Sequence, residues 1–313
     1  PFAASAPSHD REASFPAASF ELLREQGMLA LTAPIELGGE GLWSGDRFLT
    51  YYRLLSALAA FDANTSQLLQ VHSHALGILS NAATPAQREL YLEPIIRGGK
   101  VLASVGSESA PSTNSTGLYN QELQPQDDGS WVLTCEKHFA SVSAGADSLL
   151  IWLAVPGDAP YEMRTVCVVV PADAPEVELI DNWDVLGMRA TVSWTVRVKN
   201  LRLPAEAIIG EPGYWVRDDP RTFSLGFASN HLGEAEGILE FCLDWVRTRP
   251  HLQNSDLMLY RFGDFGARLF GVRAAMEAAA REWELGEDFD RAELLSLHVL
   301  HLAKKAVLEI SQV

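Results

Sequence analysis

The chain has 313 residues, of which 47% are hydrophobic and 21% charged, and its net charge is −17. Such a length buries a sizeable core and suggests two or three structural units. The acidity argues against a general binder of nucleic acid or anionic membranes, which needs basic surface, and no uninterrupted apolar run reaches the roughly 18 residues of a membrane span.

The opening "PFAASAPSHDREASFP" has no basic start followed by an apolar stretch, so it does not read as a signal peptide. Residues 17–100 carry a helical period. "AASFELLREQGMLAL" spaces its apolar residues by three and four, and 45–82 continues likewise, with a break at Asp62–Ser66. His72 and His74 are two apart, so on a helix they face different ways and cannot chelate one metal; a core histidine is the plain reading. "TPAQRELYLEPIIRGG" places Thr84 as N-cap, Pro85 in the first turn and Gln87 three residues on, and Gly98 and Gly99 stop the helix.

The period changes over 101–210. "SWVLTCEKHFAS", "DSLLIWLAV", "RTVCVVVPA" and "SWTVRVKNLRL" read as short strands, with "DDGSW" a hairpin turn, and together they predict a small β-barrel or sandwich. After the apolar "KVLAS", residues 104–117 crowd seven hydroxyl side chains around Glu108, the composition of a loop leaving a strand. From about 222 the helical period returns in three long segments. The last, "DRAELLSLHVLHLAKKAVLEISQV", reaches the end of the chain in mid-pattern, which predicts a protein continuing beyond Val313. The expected fold is α+β, with a helical domain at 1–100, a β domain at 101–210 and a helical bundle at 211–313. Cys135, Cys167 and Cys242 are widely spaced and show no ligand pattern, so free thiols in a reducing compartment, the cytoplasm, are expected, and no metal site.

This order of helical, β and helical sections resembles the acyl-CoA dehydrogenase superfamily. The stretches that carry the resemblance are "LREQGMLALTAPIELGGEG" (23–41), "TPAQRELYLEPIIRGGKVLASVGSES" (84–109), "EKHFASVSAGADSLLIWLAV" (136–155) and "WDVLGMRATVSWTVRVKNLRLPAEAIIG" (183–210). The resemblance implies bound FAD. It sets Ser104, Gly106 and Ser107 along the flavin ring edge, and Thr113 toward flavin phosphate or substrate. Phe139 takes the place of the ring-stacking aromatic and Ser141 that of the next hydroxyl, while Arg249 aligns with an arginine that reaches the flavin of a neighbouring subunit.

Several positions depart from the family. Its Glu-Pro-Gly-Ala-Gly-Ser-Asp loop reads Glu108-Ser-Ala-Pro-Ser-Thr-Asn114 here, without either glycine, which implies looser flavin binding. One family position for the base that removes the α-proton is occupied by Phe223, and a coenzyme-holding arginine is replaced by Ser224; the other base position lies beyond Val313. Glu234, Glu236 and Glu240 read as a solvated helix face and Glu108 as a brace for its loop, so none of the carboxylates in hand is expected to be that base. The resemblance implies a dehydrogenase of acyl-CoA thioesters that passes electrons to an acceptor. Its alternatives are a monooxygenase of the same fold, fed with reduced flavin by a partner reductase, and a non-catalytic binding or scaffold member. Apolar residues on more than one face of the C-terminal helices predict a homotetramer or homodimer.

Overall fold

The computed structural model describes residues 1–108, 121–217 and 223–312. In chain order its first helices are α1 Phe2–Glu12, α2 Ala17–Glu25, α3 Phe48–Ala59, α4 Ala63–Ala82, α5 Pro85–Gln87 and α6 Glu93–Gly98. Strands follow: β1 Leu102–Val105, β2 Gln124–Pro125, β3 Trp131–Ala140, β4 Ser148–Ala154, β5 Thr165–Pro171, β6 Val177–Ile180, β7 Trp194–Leu203 and β8 Ile208–Ile209. Helices then resume as α7 Tyr214–Arg217, α8 Ser224–Arg247, α9 Pro250–Gln253, α10 Asp256–Leu285 and α11 Phe289–Ile310. Helices, sheets and helices thus succeed one another as expected. α1, which buries no residue, and the short β6 and β8 carry too little local pattern to be expected from the sequence.

Local chemistry explains the boundaries. Asp62 separates α3 from α4 because its carboxylate accepts the Thr65 N–H at 3.0 Å, a side-chain cap. The capping box at Thr84 is complete: Gln87 N–H donates to the Thr84 hydroxyl at 3.3 Å, and Thr84 N–H to the Gln87 side-chain oxygen at 2.9 Å. A π-helical turn at Arg88–Leu92, not foreseen, sits just before Pro94, whose missing N–H interrupts the α ladder. Gly99 ends α6 at φ +61°, in the left-handed region.

By internal contacts the chain forms two compact units. The first comprises Pro1–Ala6, Leu42–Gln70 and Arg221–Val313. Within it α8 packs on α3, α10 and α11. The approach to α3 is close: a Cβ on Gly233 would lie 2.0 Å from the Ser56 carbonyl oxygen, and one on Gly237 2.3 Å from that of Ala60.

The second unit comprises Pro7–Gly41 and Val71–Pro220 and holds two four-stranded sheets, ordered β1-β4-β5-β8 and β2-β3-β7-β6. Among the described strand pairs, β1–β4 is parallel and the others are antiparallel. β4 and β5 are apolar and buried along almost their whole length, as strands covered on both faces must be. Ala75, Leu76 and Leu79 of α4 share one core with Leu102, Leu150, Trp152 and Val169 of the first sheet.

Candidate functional site

β3 and β7 pair from Trp131–Leu203 onward, but the register slips between Lys137 and Ala140. A bulge re-aims side chains. Here it sets Phe139 at φ +54° and leaves the residue 66% exposed, its ring edge-on to Trp183 at 5.9 Å between centroids. Val142, Met188 and Val192 are also left-handed, so four of the six non-glycine residues with positive φ among those described lie in 139–142 and 188–192. These two segments hold each other: Val142 N–H donates to the Thr191 carbonyl at 3.0 Å, and the Ser143 hydroxyl to that of Val192 at 3.3 Å. For β-branched residues such a conformation costs roughly 1–3 kcal/mol each, and strain of this kind gathers at ligand sites.

A run of hydroxyls crosses the same junction. Ser141 Oγ lies 2.9 Å from Ser193 Oγ, which lies 2.8 Å from Thr191 Oγ1, and Thr191 donates to the Met188 carbonyl at 2.7 Å. On the other strand leading here, Ser104 accepts the indole N–H of Trp152 at 3.0 Å. The chain beyond β1 is tied to the bulge, because His138 N–H donates to the Ser107 carbonyl at 2.8 Å. Ser104, Gly106, Ser107, Phe139 and Ser141 therefore sit at one end of β1 and β3. Thr113 lies outside the described residues.

Two buried groups underpin this end. Glu108 does take one backbone N–H, from Gln121 at 3.3 Å, as a loop brace should. Its ionic partner, which sequence reasoning missed, is the Lys137 ammonium, and both side chains are fully buried. The available signal was the two-residue period of Leu133, Cys135 and Lys137, which turns all three inward. Burial pushes the Lys137 ammonium below its ordinary pKa, with Glu108 opposing, and raises the Cys135 thiol to about 11. His72 is the expected core histidine: its Nε2 lies 2.7 Å from the Leu29 carbonyl, and Leu102 N–H donates to its Nδ1 at 2.9 Å.

The remaining predicted residues belong to the first unit. The Arg249 guanidinium lies over the Trp245 ring at 3.8 Å and donates to the Trp245 carbonyl and the Thr248 hydroxyl, each at 2.8 Å. Phe223 precedes α8 and stacks on Phe227 at 5.9 Å. Ser224 donates to Glu293 of α11 at 2.8 Å. A carboxylate therefore reaches the start of α8 from 69 residues away, a pairing no local motif announces. Glu236 pairs with Arg273 and Glu240 with Arg247, while Glu234 faces His231 at 3.4 Å, as charges along a helix face do.

Among the described residues no helix is long and apolar enough to cross a membrane. The family model for the acyl-CoA dehydrogenase N-terminal domain matches residues 2–99. Dibenzothiophene monooxygenase of Mycolicibacterium goodii is 27% identical over 310 residues, covering 92% of this chain and 73% of that protein. The mitochondrial short-chain specific acyl-CoA dehydrogenase of Bos taurus is 26% identical over 280 residues, covering 85% and 66%. The crystal structure of FMN-bound TdsC from Paenibacillus sp. A11-2 superposes with a TM-score of 0.84 at 26% identity, covering 99% of this chain and 82% of that one. Together with the order of helices and sheets, these likenesses make the chain similar, along most of its length, to flavoproteins of the acyl-CoA dehydrogenase superfamily.

Proposed function

We propose that the chain is a flavin-dependent monooxygenase that receives reduced flavin from a separate reductase and oxygenates a small aromatic or sulfur-containing substrate. The observation that carries the reading is Phe223. Dehydrogenation α to a thioester needs a desolvated carboxylate against the substrate, and at one position where the family supplies it this chain presents a phenyl ring packed on Phe227. Oxygenation needs no such base. The monooxygenase relative supports the same choice.

The residues of the second unit suit a flavin ring by their chemistry. Phe139 offers an exposed aromatic face backed by Trp183. Ser104 spends a lone pair on Trp152 and keeps its proton to give, and Gly106 lets backbone come close. Ser141 supplies the next hydroxyl. In these roles Phe139 covers a ring face and excludes water, while the two serines pair with polar atoms of the ring edge. A bound reduced flavin supplies the electrons that activate oxygen. FAD is what the resemblance implies; FMN, bound by TdsC, needs the same ring contacts and no adenylate site. FMN is the form proposed, since the loop lacks both glycines. Thr113 and Arg249 are assigned to flavin on the resemblance alone.

A second reading, α,β-dehydrogenation of an acyl-CoA, is favoured by one feature: Glu293 brings a carboxylate to Ser224, beside the position of the missing base. The test is a pair of assays. In air, with a flavin reductase, NADH and FMN, the protein is expected to oxygenate indole or dibenzothiophene, and Phe139→Ala to lower flavin affinity at least tenfold. Anaerobic bleaching of flavin-loaded protein by acyl-CoA, abolished in Glu293→Gln, would instead establish the dehydrogenase and sink the monooxygenase.

A further inference from the structure

The hydroxyl run at the bulge has a direction that proton counting settles. A carbonyl oxygen only accepts, so the Thr191 hydroxyl at 2.7 Å from the Met188 carbonyl is the donor. A hydroxyl carries one proton, and that of Thr191 is now spent. Ser193, 2.8 Å away, must therefore donate to Thr191. Its own proton being spent, Ser193 accepts from Ser141 at 2.9 Å. Thr191 and Ser193 are buried, at 2% and 4% exposure, so water does not compete for these bonds. The carbonyl at the end of the run is held as well: the Trp183 indole N–H donates to it at 3.1 Å, and Met188 itself is left-handed, at φ +56°. Ser141, half-buried and beside the exposed Phe139, is left with lone pairs and no proton to offer outward.

We infer that the Ser193–Thr191 pair holds Ser141 as an obligate acceptor, and that this selects the reduced flavin over the oxidised one. The inference rests on the flavin reading above and adds a redox preference to it. Two-electron reduction replaces a ring-nitrogen lone pair by N–H at N5, and at N1 in the neutral reduced ring. An acceptor hydroxyl pairs with N–H and faces a lone pair unfavourably. An unmade or repulsive contact at a desolvated edge costs roughly 1–3 kcal/mol, or a factor of about 10 to 100 in affinity. Thr191 and Ser193 act through Ser141 and are positioning residues. A site of this polarity suits a protein that captures flavin already reduced elsewhere.

The experiment measures binding of oxidised and dithionite-reduced FMN to the full chain under anaerobic conditions, by fluorescence and by ultrafiltration. It compares wild type with Ser193→Ala and Thr191→Val, each checked for an unchanged circular dichroism spectrum. Wild type is expected to hold reduced FMN at least tenfold more tightly, which raises the midpoint potential of the bound two-electron couple by about 30 mV. Ser193→Ala frees the Ser141 proton and is expected to bring the affinity ratio close to one. Thr191→Val lets Ser193 turn its proton to Ser141 and is expected to act in the same direction. A purely structural role for these residues would weaken both redox forms alike and leave the potential unchanged. Flavin binding with the same ratio in all three proteins overturns the redox preference and leaves the flavin reading standing. Absence of binding in both redox states overturns the flavin reading, and this inference with it.

Discussion

His72 shows how one side chain sets a pH limit on the fold. Its Nδ1 accepts the Leu102 N–H, at the entry to β1, so the ring must be neutral; its Nε2 then carries the proton given to Leu29. Burial lowers its pKa, opposed by the Leu29 carbonyl and by Asp147, whose carboxylate also accepts the Val101 N–H at 2.8 Å. The unfolded chain, with a histidine pKa of about 6.5, therefore binds more protons than the folded one at mildly acid pH. The stability due to this neutral ring is complete above about 6.5 and is lost as pH falls from there through the folded value. The melting temperature is expected to drop between pH 7.5 and 5.5, and His72→Gln, though less stable throughout, to show a flatter slope. Equal slopes would assign the acid sensitivity to other groups. Lys137 and Glu108 make a second buried dependence, because removing one partner strands the other charge away from water.

Among the elements, α8 and α10 use glycine in opposite ways. On α8, Gly233 is required by contact: a Cβ would meet the Ser56 oxygen at 2.0 Å and the Ala59 Cβ at 2.8 Å. On α10, Gly263, Gly266 and Gly271 lie inside a 30-residue helix with nothing within 4 Å of an added Cβ. Overpacking costs about 1–3 kcal/mol, whereas alanine for a spare helical glycine returns about 0.5–1 kcal/mol of backbone entropy. Gly233→Ala is thus expected to lower the midpoint of urea denaturation and Gly266→Ala to raise it. Shifts of the same sign would mean that the packing of α8 on α3 is looser than the contact distances indicate.

At the scale of the whole molecule, the C-terminal helices expose more apolar surface than one chain covers. Phe241, Tyr260 and Phe270 are 70%, 73% and 76% exposed. At 100° per residue, the exposed Leu294, Leu297 and Leu308 share one stripe of α11. Large apolar residues aligned this way mark an interaction face, and a second copy of the chain is the proposed partner, in a homodimer or homotetramer. Light scattering at micromolar concentration is expected to return a multiple of 34.3 kDa, and Leu297→Glu with Leu308→Glu to reduce it. A mass of one chain for the wild type removes the assembly.

Much of this was legible in the sequence because it depends on neighbours along the chain. The capping box at Thr84, the Asp-Gly turn before β3, the switch from helical to two-residue period near residue 101 and its return near 222 each involve only a few adjacent residues. The core role of His72 and the co-linear likeness to the superfamily belong with them. The pairings within each unit that involve the candidate residues are another matter. Lys137 meets Glu108 across 29 residues, Ser141 meets Ser193 across 52, and Ser224 meets Glu293 across 69. Those meetings depend on strand register, on a slipped residue at Phe139 and on how α11 lies against α8, none of which a local pattern encodes. Residue types and element periods follow from short-range sterics and solvation, so the sequence by itself determined the architecture. Proton direction, charge pairing and the carboxylate beside α8 depend on atoms brought together by folding, and only the tertiary structure decided them.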